Sequence, residues 1–295
     1  MPFTPLPNKL QLSTATNKAV VLFLGAMALC LFSCKKEFSY EGGPIISGNN
    51  LLIRKVTYNA LGDSSVTTYT YDSLKRVIEV ISNSGIGSAD MSSFTTRLYR
   101  DVLGRVDSVY REVQGSVFTN SYVRYYYNLE NQLTYSIEIR NPLNAQQTLI
   151  DSAAYTYTGD ALTAKTDYFS DTSRQYDSIP DQQFLYTYDA GKNIQHIAFI
   201  NYFEENGIKT SITTNIFYTY DNYTNPLPQD GYGYAFFVNL SFINYLHRNN
   251  ILSVQSSEAD YIDETHRYEY NSAHLPVKEI LTNQGTNFTT YYYYK

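Results

Sequence analysis

The chain has 295 residues, with 22 Lys and Arg against 28 Asp and Glu, a formal net charge of −6. Phosphate recognition needs concentrated basic side chains, so this balance argues against a nucleic-acid partner. Both cysteines, Cys30 and Cys34, lie near the N-terminus, so the rest of the chain has no disulfide and depends on packing and hydrogen bonds.

Lys18 precedes an apolar run from Ala19 to Leu31, which ends in Leu31-Phe32-Ser33-Cys34 before Lys35-Lys36-Glu37. The run is short for a bilayer span and has the layout of an export signal. Leu31, Ser33 and Cys34 resemble the lipobox of bacterial lipoproteins, with Phe32 departing from the usual small residue. The resemblance implies cleavage after residue 33 and acylation of Cys34, which becomes the first residue of the mature chain. Several acyl chains give lasting membrane attachment where one holds only marginally. Residues 34–50 include Ser39-Tyr40-Glu41-Gly42-Gly43-Pro44, a composition suited to a tether. The predicted organisation is signal peptide 1–33, tether 34–50 and folded domain 51–295.

From Tyr69 onward the chain repeats Tyr-x-Tyr followed by Asp or Asn. Tyr69-Thr70-Tyr71-Asp72, Tyr125-Tyr126-Tyr127-Asn128, Tyr186-Thr187-Tyr188-Asp189, Tyr218-Thr219-Tyr220-Asp221 and Tyr268-Glu269-Tyr270-Asn271 are clear copies. Leu98-Tyr99-Arg100-Asp101, Tyr155-Thr156-Tyr157-Thr158 and Tyr292-Tyr293-Tyr294-Lys295 are degenerate ones. A phrase recurring about every 30 residues marks an array of one supersecondary unit. In an extended chain both tyrosines of a copy point to one side, and the Asp or Asn then starts a turn by bonding its own backbone ahead. Asp101-Val102-Leu103-Gly104 fits a type I turn, and a second apolar segment follows. Each unit therefore reads as a β-hairpin, with the Asp turns at one edge of the sheet and longer polar connections at the other. Among those connections, Asn206-Gly207 suits a tight type I′ turn. About sixteen strands exceed what an open sheet holds, so the array should be strongly curled or closed into a barrel.

Between Asp221 and Asn271 the rhythm breaks. Phe236, Leu240, Ile243 and Leu246 recur at helical spacing, and a short helical insert covering apolar surface is expected there. The hairpin phrase resembles the YD repeats of RHS-type proteins. The run from Tyr218-Thr219-Tyr220-Asp221 through Asn225-Pro226 to Asn249-Asn250-Ile251 resembles Bacteroidota lipoproteins that carry a domain of unknown function with a porin-like fold. That resemblance implies an antiparallel meander barrel on a lipid anchor and transfers no catalytic residue. In such lipoproteins an acidic signal after the cysteine directs surface display; here Glu37 alone represents it, leaving the periplasmic and surface faces both open.

Candidate chemistry is sparse. His196, His247, His266 and His274 form no helically spaced pair and no HExxH, so a zinc site is not expected. Asp260 and Asp263, and Asp167, Asp171 and Asp177, read as solvated loop carboxylates rather than a calcium loop. No GxSxG, Walker-type loop or GxGxxG occurs, no cofactor is implied, and the chain is read as a non-enzyme. The tyrosines read as cross-strand packing before sugar stacking.

Three functional readings follow: a non-enzymatic, lipid-anchored envelope scaffold whose loops bind or assemble; a glycan- or nutrient-binding lipoprotein; and an integral outer-membrane barrel. Ile208, Ile212, Ile216 and Tyr218 alternate with Lys209, Ser211 and Asn215, a pattern that suits a membrane. Simple alternation in the segment Arg105 to Val113 puts Arg105, Asp107 and Arg111 on one face and Glu112 on the other, which does not suit it.

Overall fold

The computed structural model describes residues 50–86, 92–114, 120–140, 149–169, 180–205, 208–227, 247–258 and 263–295. The expected signal peptide, Cys34 and most of the tether lie outside these residues, as does the helical stripe from Phe236 to Leu246. The strands are β1 (Leu52–Tyr58), β2 (Ser64–Tyr71), β3 (Val77–Ile86), β4 (Ser92–Arg100), β5 (Val106–Gln114) and β6 (Ser121–Tyr127). There follow β7 (Leu133–Arg140), β8 (Leu149–Thr158), β9 (Ala161–Tyr168), β10 (Gln182–Tyr188) and β11 (Ile194–Glu205). The last five are β12 (Ile208–Thr224), β13 (Asn249–Ser256), β14 (Asp263–Tyr270), β15 (Pro276–Asn283) and β16 (Thr286–Tyr294).

Every strand pairs antiparallel with its sequence neighbours, and β1 pairs with β16, so the sheet is a closed barrel. At the seam Lys55 lies opposite Tyr292, and Leu51 and Lys295 exchange backbone hydrogen bonds of 3.2 and 3.0 Å. Closure leaves no unpaired edge.

The repeated phrase forms the expected turn. Asp72 Oδ1 accepts from the amides of Leu74 and Arg76 at 2.9 Å, while its amide donates to the Arg76 carbonyl. Asp101 repeats the pattern with Leu103 and Arg105, and Asn271 with Ala273 and Leu275. The fourth turn residue takes positive φ: Lys75, Gly104, Asn131, Lys192 and His274. At the opposite end of the barrel Glu205 pairs with Ile208, which leaves two residues for that hairpin. Gln284 and Gly285, both at positive φ, form another two-residue connection there.

Immediately after each of these turn-end connections the register slips by one residue, a β-bulge. The second tyrosine of a copy then faces an inward residue near the start of the neighbouring strand, and the first tyrosine faces the residue three further on. Thus Tyr71 and Tyr69 oppose Val77 and Val80, and Tyr188 and Tyr186 oppose Ile194 and Ile197. Tyr220 and Tyr218 oppose Ile251 and Val254, and Tyr294 and Tyr292 oppose Leu52 and Lys55. The bulge corrects the reading of simple alternation in β5. Val106 opposes Arg100 and Val109 opposes Leu98, so Arg111 lies on the inner face with Val109 while Asp107 and Glu112 belong to the outer one.

The core is the inner wall. Tyr69, Val80, Leu98, Val109, Val123, Tyr125, Tyr155, Tyr186, Ile197, Ile216 and Val254 are buried and belong to one cluster. Burying an aliphatic or aromatic side chain of this kind contributes about 1.5–3 kcal/mol, and the wall supplies the core that the missing disulfides cannot.

Candidate functional site

At the turn end the inner wall is sealed by hydrogen bonds. Tyr71 donates to the carbonyl of Leu52, Tyr127 to Val106, Tyr188 to Leu162 and Tyr294 to Pro276, each at 2.7 Å. Tyr220 donates to the Ile194 carbonyl at 2.5 Å. Its oxygen is also 2.6 Å from Nδ1 of the fully buried His247; with the hydroxyl proton used on Ile194, the imidazole proton belongs on Nδ1. Burial pushes the His247 pKa down to about 3, so the ring is neutral. The chain on either side of the rhythm-breaking insert is pinned here too. Asn193 Oδ1 accepts from the amides of Arg248 and Asn249, and Asn225 Nδ2 donates to the His247 carbonyl. Asp221, at the turn position of its copy, accepts the Tyr223 amide as the other copies do and receives in addition the Asn250 amide and the Tyr270 hydroxyl.

Toward the loop end the inner wall becomes polar and half-buried. Hydroxyl pairs line one arc: Thr57 with Thr290, Thr67 with Ser82, and Ser84 with Ser92, at 2.9, 2.9 and 2.7 Å. Two ionic clusters flank it, on strands about half the ring apart.

The first cluster spans β14, β15, β16 and β1. His266 Nδ1 lies 2.7 Å from Glu279 Oε1, which also accepts from Tyr268 at 3.2 Å; Tyr292 bonds the other Glu279 oxygen. Glu264 Oε2 stands 3.6 Å from His266 Nε2. Burial opposes charge on His266, but the bonds and charges of Glu264 and Glu279 outweigh it and push its pKa up to about 9. Burial likewise opposes charge on Glu279, yet His266 and Tyr292 hold its pKa below the ordinary carboxylate value. Lys55 lies on the same wall, its pKa lowered by burial against the pull of Glu279.

The second cluster spans β7, β8 and β9. Glu138 faces Asp151 directly across the ladder, and Asp167 faces Ala153. All three carboxylates are buried, at 1%, 0% and 1% exposure. Lys165 Nζ is 2.6 Å from Asp167 Oδ2, and Arg140 pairs with Asp151. Asp167 is therefore a strand residue of the inner wall, correcting its reading as a solvated loop carboxylate; Asp171, Asp177 and Asp260 lie outside the described residues. Asp263 is exposed.

The four histidines stand apart in the structure. His196 bonds Asn215 and stacks on Phe217 across the outer ladder, His247 seals the turn end, His266 pairs with Glu279, and His274 stacks on Tyr223. Among the described residues no group of three or more His, Cys, Asp or Glu could hold a metal ion. Sequence reasoning missed both ionic clusters. Their signal was positional: Lys55, Lys165 and Glu279 each stand three residues after the first inward residue of their strands, opposite the first tyrosine of a copy.

No protein-family model matches the chain, and no curated protein matches it. Among solved structures it is similar to the crystal structure of a porin-like protein from Bacteroides uniformis, at a TM-score of 0.53 and 11% sequence identity. The likeness covers 84% of this chain and 98% of that one. It establishes a shared barrel fold, and the described residues form an all-β, closed, sixteen-stranded antiparallel barrel of porin-like architecture.

Proposed function

We propose that this chain is a non-enzymatic cell-envelope protein, anchored to the outer membrane by acyl groups on Cys34, whose barrel stands in water and offers the loop end of its inner wall to a ligand. The observation that carries this reading is the chemistry of the outer wall. On β3, β4 and β5 the outward Arg97 pairs with Glu79 at 3.1 Å and with Glu112 at 3.3 Å. Lys278 pairs with Glu269 on β15 and β14. Lipid would strip water from these charges at high cost. The remaining outward surface mixes exposed Thr70, Thr156, Thr187 and Thr219 with exposed apolar and aromatic side chains, among them Tyr99, Tyr122, Tyr126, Leu185, Phe217 and Tyr293.

Sugar stacking on tyrosine receives less support. A flat platform needs coplanar rings, but the exposed Tyr58 meets Tyr291 edge-on at 80° and Tyr126 meets Tyr135 at 47°.

The integral outer-membrane barrel is the competing reading. A chain from Ser39 to Lys295, expressed without its signal, separates the two by circular dichroism and size exclusion with and without detergent. A water-standing barrel folds as a dispersed species in plain buffer; a membrane-spanning one precipitates and folds only in micelles. The anchor is tested separately with Cys34→Ala, which should abolish incorporation of labelled fatty acid.

A further inference from the structure

We infer that the inner wall of β7, β8 and β9 is a binding site for a primary ammonium group, built from Glu138, Asp151 and Asp167. The three carboxylates come from adjacent strands and share one face, with Glu138 directly across from Asp151. Two oxygens of the set lack a hydrogen-bond donor. Lys165 takes Asp167 Oδ2 and Arg140 takes Asp151 Oδ2, while Glu138 Oε2 and Asp167 Oδ1 are buried with no hydrogen-bond partner.

A buried carboxylate oxygen without a donor is destabilising, and Glu138 Oε2 has none; its charge supports only the buried Lys165. A neutral side chain of the same shape would serve stability better. Retaining the acid at such a cost is what a binding site does. Burial also raises the Asp167 pKa to about 6 against the pull of Lys165, a further sign that this carboxylate lacks donors.

The donors that satisfy two buried carboxylates best carry positive charge and are compact. An ammonium has three N–H donors and can bond two carboxylates at once. A metal ion fits less well, since no group of three acids here has metal-holding geometry among the described residues. An approach from the loop end would pass Arg140. Arg140, the last residue of β7, is about a third exposed at its side chain and holds Asp151 from that side. An incoming ammonium would compete with its guanidinium.

The test is calorimetric titration of the full chain with putrescine, beside butanediol as the neutral analogue and potassium chloride at equal ionic strength. Saturable binding of putrescine alone is expected. Glu138→Gln, which keeps shape and removes charge, should weaken it about tenfold or more while leaving the melting temperature unchanged or higher. Arg140→Gln, which removes the competing cation, should tighten it, and this second variant decides the matter if Glu138→Gln fails to fold. No saturable heat from putrescine, equal heats from the diol or the salt, or undiminished affinity in a folded Glu138→Gln would overturn the assignment. The inference rests on the loop end facing water as proposed above. A chain that requires detergent yet binds putrescine would refute that reading and keep this one.

Discussion

Arg100 Nη2 donates to the carbonyl oxygen of Val77 at 3.1 Å, the same relation that Tyr188 has with Leu162 one hairpin pair after another around the ring. In each case the last inward residue of an even strand reaches back to the first inward residue of the preceding strand. The degenerate copy Leu98-Tyr99-Arg100-Asp101 is thus a working copy, with a guanidinium in place of a phenol. The bulge after each turn-end connection disturbs the ladder locally, and these donors satisfy carbonyl groups beside it.

Tyr188→Phe should therefore destabilise the barrel by about 1 kcal/mol, because the ring keeps its packing while the Leu162 carbonyl loses its donor. Chemical denaturation of the variant against the parent measures it. An unchanged midpoint would mean that solvent replaces the hydroxyl at no cost.

Gly104 is at φ +85, and a Cβ added there would approach Arg76 Nη1 to 2.5 Å. That guanidinium can move, so backbone conformation decides the effect. Gly104→Val should be destabilising by about 1 kcal/mol or more, because a β-branched residue resists positive φ. Gly104→Asn should be milder, as Asn131 holds the same position two strands on. Equal loss in both variants would show that steric contact, and not φ, governs the site.

The hairpin array, strand number and ring closure could be read from the tyrosine phrase because turn chemistry is local. Asp72 and Gly104 act through bonds within five residues, and such signals survive in a single sequence. The facing of side chains was less legible. Alternation groups Arg111 with Asp107, whereas the bulge between Val106 and Val109 separates them. Ile208 and Ile212, read as part of an apolar face, remain largely exposed, while Ile216 on the same face is fully buried. Depth along a long strand, which alternation does not encode, separates them. The Glu138, Asp151 and Asp167 cluster was invisible for another reason: its members come from three strands and meet only through register.

Asn193 is almost fully buried at the turn end. Its Oδ1 takes the amides of Arg248 and Asn249, and its Nδ2 bonds Asp189 and Asn249. Asn193→Ala removes the acceptor from two backbone donors and should be destabilising by about 2 kcal/mol or more. Hydrogen exchange at the Arg248 and Asn249 amides should accelerate before that of β5. Unaltered protection at those two amides would mean that Asn193 does not pin the returning strand.

The His266 and Glu279 pair makes stability depend on pH in a direction fixed by the two pKa shifts. His266 titrates at about 9 in the folded barrel against an ordinary value of 6.5. A raised histidine pKa stabilises fully below 6.5, and the contribution fades as pH rises through about 9. Glu279 is shifted down from 4.5, so its contribution is present above 4.5 and fades as pH falls through the lower folded value. The pair should therefore stabilise most between about pH 4.5 and 6.5. Comparing melting temperatures of the parent and His266→Gln across pH isolates this effect from other titrating groups. The gap should be widest near pH 6 and should narrow steadily toward about pH 10. A gap that stayed constant over that range would mean that the imidazole is neutral in the fold, with Glu279 held by Tyr268 and Tyr292 alone.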